Sequence, residues 1–128
     1  IATVLDIVDN QGVKSVMLDT SFSAHMPDTI EMPYQPNIWG AAKSSEGLYV
    51  YKMGGLTCLA GDVIGDYAFE KPLSLGDTII LDDMIHYTMV KNNTFNGVNL
   101  PSIGIIKENG PFKLVKQFSY GDYRNRLS

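Results

Sequence analysis

Apolar and polar residues alternate over residues 1–8 (IATVLDIV) and again over 13–19 (VKSVMLD), the two-residue period of half-buried strands. Between them Asp9, Asn10, Gln11 and Gly12 have the composition of a tight turn, so the two runs predict a β-hairpin. A third run, GLYVYKM (47–53), sets Leu48, Val50 and Lys52 on one face and Tyr49, Tyr51 and Met53 on the other. After the turn signal Leu75-Gly76-Asp77, the segment DTIILDDMIHYTMV is long enough for one bent strand or two. SIGIIKE and FKLVKQF bracket Asn109-Gly110, with Pro111 behind it, and predict a second hairpin. Strands at short spacing joined by glycine turns predict a mainly β chain, folded as a β-barrel or sandwich.

Two stretches break the pattern. Residues 21–45 hold Pro27, Pro33 and Pro36 without clean periodicity, which predicts an irregular loop with room for one helical turn. Residues 91–101 form a second, asparagine-rich loop. Long loops in a compact β domain are disordered or functional, and aromatic, His and Asn side chains favour function here. At 128 residues the chain can bury a real core, and it is expected to form one domain over 1–128. It opens at Ile1 inside an apolar alternating run, as a piece of something longer would.

Charge and cysteine content narrow the function classes. A net charge of −4 leaves no basic stripe to neutralise phosphates, so no nucleic-acid partner is expected. No membrane-length apolar segment and no signal-peptide pattern is present, and a single cysteine suits a reducing compartment; no membrane association and a cytoplasmic location are the expectation. His25 and His86 can be drawn with Asp19, Asp28, Asp82 or Asp83 as a metal site, but no recognised ligand spacing exists and no metal is expected. A serine triad has no nucleophile-elbow motif to support it.

Cys58, in GGLTCLAGDVIGDY (54–67), is the lone thiol. With a reference pKa of about 8.5 such a group holds its proton near neutrality. It can serve as a nucleophile beside a base, as a proton donor over a carbanion, or as core. The surrounding glycines let backbone approach a ligand closely. Asp62 and Asp66 follow at spacings of four and eight, but Gly61 and Gly65 argue against a helix that would align them. They read equally as loop-capping acids or as partners for a substrate ammonium group.

The stretches TCLAGDVIGDYAFEKPLSLGD, MIHYTMVKNNTFNG and LPSI, with DTSFSAHMPDTIEMPYQP before them and YRNRLS at the end, closely resemble the C-terminal part of carboxynorspermidine decarboxylases. These belong to the pyridoxal-phosphate decarboxylases of the alanine-racemase fold type, beside ornithine and diaminopimelate decarboxylases. The resemblance covers essentially the whole chain. It implies a Greek-key-type C-terminal β domain whose companion, an N-terminal (β/α)₈ barrel of about 250 residues, is absent from this chain. The cofactor pyridoxal 5′-phosphate and its Schiff-base lysine are expected on that barrel.

Carried over position by position, the resemblance implies that Cys58 is the catalytic proton donor, reaching a homodimer partner's active site. It implies that the Tyr87 hydroxyl meets the cofactor phosphate and that Phe95 and Asn96 wall the substrate site. Asp19 matches an acid that meets the substrate's distal amine, and Asp62 an acid at the substrate. The implied reaction is decarboxylation of carboxynorspermidine or carboxyspermidine to norspermidine or spermidine, in polyamine biosynthesis. One departure sharpens this: the ornithine and diaminopimelate enzymes carry an acid directly after the cysteine, and Leu59 stands here. An apolar contact there disfavours a short diamino acid. Ornithine or diaminopimelate decarboxylation, and a non-catalytic β-barrel regulatory module, are the alternatives.

Overall fold

The computed structural model describes residues 1–42 and 48–127, so Lys43, Ser44, Ser45, Gly47 and Ser128 of the stretches above lie outside the described residues. The backbone gathers into two compact units, residues 1–92 and the segment from Asn93 onward.

In the first unit β1 (Ala2–Asn10) and β2 (Val13–Leu18) form the expected hairpin. Gln11 and Gly12 both take positive φ, 55° and 87°, the mirror-image turn that matches strand twist. Asp9 Oδ1 fixes it by accepting from Gly12 N at 2.9 Å. The proline-rich stretch is more ordered than its composition suggests. It holds two short helices, α1 (Phe22–His25) and α2 (Asp28–Glu31), and a strand, β3 (Ala41–Ala42). Ser21 caps α1 by accepting from Ala24 N at 3.1 Å.

Strands β4 (Tyr49–Gly54), β5 (Val63–Phe69) and β6 (Thr78–Ile79) complete a six-stranded sheet of order β3-β5-β4-β2-β1-β6. Its pairings are antiparallel except β2 with β4. The sheet curls until its edges meet. Ile38, just before β3, bridges Leu81, just after β6, and Trp39 N donates to Ile80 O at 3.0 Å and Asp82 N to Asn37 O at 2.9 Å. The mainly β barrel-type fold expected from the sequence is the fold found.

Tyr51 and Met53 are the inward side chains of β4, and they pack with Val4, Val16, Leu18, Phe22 and Tyr67 in the core. The buried phenols keep their polar ends satisfied: Tyr67 donates to Pro36 O at 2.5 Å, and Tyr51 Oη accepts from Leu73 N at 3.1 Å. Burial pushes the Tyr67 hydroxyl well above the ordinary tyrosine range, which keeps it a donor.

The run after Gly76 departs from expectation. Only Thr78 and Ile79 form a strand, and residues 86–90 are a helix, α3 (His86–Val90). Asp83 takes φ +58°, a left-handed turn that swings the chain out of the ladder before the run can continue as strand. The second unit holds the predicted hairpin, β7 (Ile103–Ile105) with β8 (Lys113–Lys116), after a 3₁₀ turn at Phe95–Gly97. It ends in α4 (Tyr120–Leu127), which begins where Asp122 Oδ2 accepts from Ser119 N at 2.8 Å. That bond, with the Ser119 hydroxyl and Lys116 also contributing, holds the Asp122 carboxyl below its ordinary value.

One buried side chain shapes the loop between β4 and β5. Asp62 is 2% exposed. Its Oδ1 accepts from Phe22 N at 2.6 Å and Ser23 N at 3.0 Å, and its Oδ2 from Thr57 N at 3.1 Å and Thr57 Oγ1 at 2.5 Å. The backbone closes the same loop through Gly55 N to Asp62 O, 2.7 Å, and Leu56 N to Thr20 O, 2.9 Å. A Cβ at residue 55 would lie 2.5 Å from the Asp62 carboxylate, which is why glycine stands there. Asp62→Asn offers one oxygen and one NH₂ to two sets of donors, so either rotamer opposes donor to donor. We expect it to lower stability by about 2–3 kcal/mol, read as a fall in the urea midpoint without a change in slope.

Candidate active site

The expected site residues of the first unit issue from strand ends. Strands β2 and β4 run parallel, so the residues following each emerge at the same end of the barrel. Asp19 follows β2, and the loop 55–62 follows β4. The bond from Leu56 N to Thr20 O ties the two together one residue from Asp19. Cys58 and Leu59 lie on this loop and both are exposed. The loop is thus a braced mount with a thiol on its surface, and Cys58 is no core residue.

Asp19 is exposed, and its Oδ1 accepts from Thr3 N at 2.6 Å. Asp62, expected at the substrate, has an enclosed carboxylate here, with both oxygens occupied by donors of the chain itself. It positions the Cys58 loop from inside the barrel and offers no face to a substrate. The two acids of the sequence pattern therefore part ways, since Asp62 is buried and Asp66 is exposed on β5.

Tyr87 sits on α3 rather than in a strand, and is 55% exposed. It lines a cleft of about 420 Å³ with Asp28, Tyr34, Asp83, His86 and Thr88. Lys91 Nζ stands 5.9 Å from the Tyr87 ring centroid and pairs with Glu31. Inside the cleft the Tyr34 hydroxyl donates to Asp28 Oδ2 at 2.6 Å. Partial burial, that hydrogen bond, and the charges of Asp28 and Asp83 push the Tyr34 phenol up to about 12, so it remains a donor. In the second unit Phe95 is exposed and Asn96 takes φ +57°, a left-handed conformation that asparagine tolerates better than most residues. Asn93 Oδ1 accepts from Phe95 N at 2.9 Å and shapes this turn.

The donor chemistry decides how a phosphate-bearing cofactor could meet this chain. An exposed phenol beside a lysine suits a phosphate oxygen, so Tyr87 fits that contact. The cleft on its other border does not, because Asp28 and Asp83 would repel an anion. Among the described residues no group of three His, Cys, Asp or Glu is gathered to hold a metal ion. No helix among them is long and apolar enough to cross a membrane.

Sequence reasoning passed over Asp28 except as one of several acids that could be drawn beside a histidine. Nothing in its immediate sequence marks it. Its burial arises only when α1 and α2 fold back over the barrel and Tyr34 closes on it six residues later.

The chain is 53% identical, over 127 residues, to a protein of Synechocystis sp. named carboxyaminopropylagmatine decarboxylase, covering 99% of this chain and 33% of that one. It is 43% identical to a carboxynorspermidine/carboxyspermidine decarboxylase of Campylobacter jejuni, covering 98% of this chain and 36% of that one. The crystal structure of a carboxynorspermidine decarboxylase from Campylobacter jejuni, complexed with norspermidine, superposes with a TM-score of 0.92 at 43% identity, over 98% of this chain and 37% of that one. This chain therefore spans about a third of the length of these relatives. Residues 1–85 match the pyridoxal-dependent decarboxylase C-terminal sheet domain, and the chain belongs to that family.

Proposed function

We propose that residues 1–128 form the C-terminal β domain of a longer pyridoxal-phosphate decarboxylase that acts on a carboxylated polyamine in polyamine biosynthesis. The observation that carries this reading is the exposed Cys58 on a loop braced from within by Asp62, in a chain 53% and 43% identical to two such enzymes. The bound cofactor supplies the electron sink that lets carbon dioxide leave Cα. The (β/α)₈ barrel of the longer protein supplies the lysine that attaches it.

This chain's own residues then have defined tasks. Cys58 holds a proton and delivers it to Cα once the carboxylate has gone, reaching the cofactor of the partner subunit in a homodimer. Tyr87 donates its hydroxyl to the cofactor phosphate. Phe95 and Asn96 wall the substrate, Asp19 offers an exposed carboxylate to an amine, and Leu59 lays an apolar contact against the methylene chain. The single cysteine, which suits a reducing compartment, supports a cytoplasmic location for the enzyme.

Two kinds of substrate compete within the class. Carboxynorspermidine or carboxyspermidine is the reading that the Campylobacter relative supports. Carboxyaminopropylagmatine is the reading that the more identical Synechocystis relative supports, and it replaces a terminal ammonium by a guanidinium. Carbon dioxide release by the full-length enzyme from each of these three substrates, ornithine and diaminopimelate decides between them. Release from ornithine or diaminopimelate alone would overturn the polyamine assignment.

In the active full-length enzyme, Cys58→Ala is expected to lower kcat about 10²–10⁴-fold, the range of a lost general acid, with cofactor absorbance unchanged. Wild-type turnover would remove Cys58 from the mechanism. Tyr87→Phe is expected to weaken cofactor retention about tenfold, the worth of one hydrogen bond to a charged group, measured by dialysis and reconstitution.

A further inference from the structure

The cleft between α2 and α3 contains two polar atoms that the fold buries and leaves open. Asp28 is 4% exposed and Thr88 is 7% exposed. Asp28 Oδ1 and Thr88 Oγ1 have no hydrogen-bond partner among the described residues. Both residues line the same cavity. A carboxylate oxygen that has lost its water and gained no donor is costly, and native structures keep few such groups without a water, ion or ligand to complete them.

The rest of the lining defines what that ligand is. Tyr34 already donates to Asp28 Oδ2, which orients the carboxylate and leaves Oδ1 as the open acceptor. Asp83 adds a second negative charge at the cleft, and Thr88 can accept through its hydroxyl oxygen. The site therefore wants a positively charged group with several N–H donors. A phosphate or carboxylate is repelled. A metal ion lacks its ligand set, since Asp28 and Asp83 are the cleft's only two carboxylates and no group of three metal-binding side chains is gathered among the described residues.

We propose that this cleft is the subsite for a cationic nitrogen head of the polyamine substrate, with Asp28 as its counter-ion and Thr88 as a second acceptor. The proposal rests on the polyamine reading above and adds a second charge pairing, for another nitrogen, to the one offered by Asp19. Asp19 is exposed and has already committed one oxygen to Thr3 N. Ammonium and guanidinium heads share the chemistry the cleft recognises, and they differ in shape. A single open carboxylate oxygen beside a hydroxyl suits either.

Calorimetric titration of the full-length holoenzyme tests this with two probes: norspermidine and agmatine. Asp28→Asn keeps the side chain's shape and removes its charge. We expect it to raise the Kd of norspermidine, of agmatine, or of both at least tenfold. Thr88→Val removes only the hydroxyl and is expected to weaken the same probes about threefold to tenfold, which keeps the test decisive if Asp28→Asn fails to fold. The probe that loses more in Asp28→Asn identifies the head group. Unchanged affinities for norspermidine and agmatine in both variants would overturn the proposal. So would a lowered melting temperature with unchanged affinities, which would mean that a basic side chain of the longer protein pairs with Asp28. Failure of the enzyme reading is separable: wild-type protein would release no carbon dioxide from any carboxylated polyamine, while probe affinity still depended on Asp28.

Discussion

The four hydrogen bonds received by Asp62 connect parts of the chain forty residues apart. They satisfy the first backbone donors of α1 and the backbone and hydroxyl of Thr57 at once. Without that carboxylate, α1 and the β4–β5 loop would meet through water and a single backbone contact, and Cys58 would hang on a glycine-flanked loop. Glycine loses more conformational entropy on ordering than any other residue. The loop keeps its shape because the acid behind it accepts at both ends. Gly55 completes the arrangement by making room for the carboxylate. The proposed role of Cys58, meeting one carbon of a bound molecule, needs a mount fixed in this way.

Much of the barrel was legible in the sequence because its signals are local. The hairpin of β1 and β2 announces itself through alternation and Asp9–Gly12, and the second hairpin through Asn109-Gly110. The inward face of β4 follows from its period. Strand β5 was hidden. Its segment VIGDYAF carries Gly65 and Asp66 where strand-formers are expected, and Gly65 takes φ +113° beside a register shift against β4. The Gln35 side chain packs where a Cβ of residue 65 would lie, 3.3 Å away. Helix α3 was misread for the opposite reason. Its apolar residues look strand-like, but Asp83 turns the chain before pairing can continue, and only Thr88 of that helix is buried. Helix α4 has no buried face at all, so periodicity could not find it.

The site was legible only in part, and the division follows reach. Cys58 could be singled out because it is unique and glycine-flanked, and family resemblance gave Tyr87, Phe95 and Asn96 their roles. What each acid does could not be read locally. Spacing left Asp62 equally a loop-capping acid or a substrate partner, and only the family resemblance set it at the substrate. Its true neighbours are backbone amides of residues 22 and 23, which no sequence window contains.

Asp62 and Asp28 make a controlled comparison within one small barrel. They are the same residue type at nearly the same burial, 2% and 4%. Asp62 receives donors on both oxygens and is closed. Asp28 receives one, from Tyr34, and keeps its other oxygen buried and unsatisfied among the described residues, at the edge of a cleft that the residue lines. An unsatisfied buried acceptor costs about 1–3 kcal/mol, a real fraction of the roughly 5–15 kcal/mol by which a domain is stable. Folding alone gives no reason to keep that cost, since a threonine or asparagine could accept from Tyr34 without a charge. Binding does give one: the cost is recovered when a cation enters, and a cation lacking the right donors recovers less. Saturation of its hydrogen bonds, rather than burial or charge, is what separates the acid that builds this domain from the acid available to recognise a substrate.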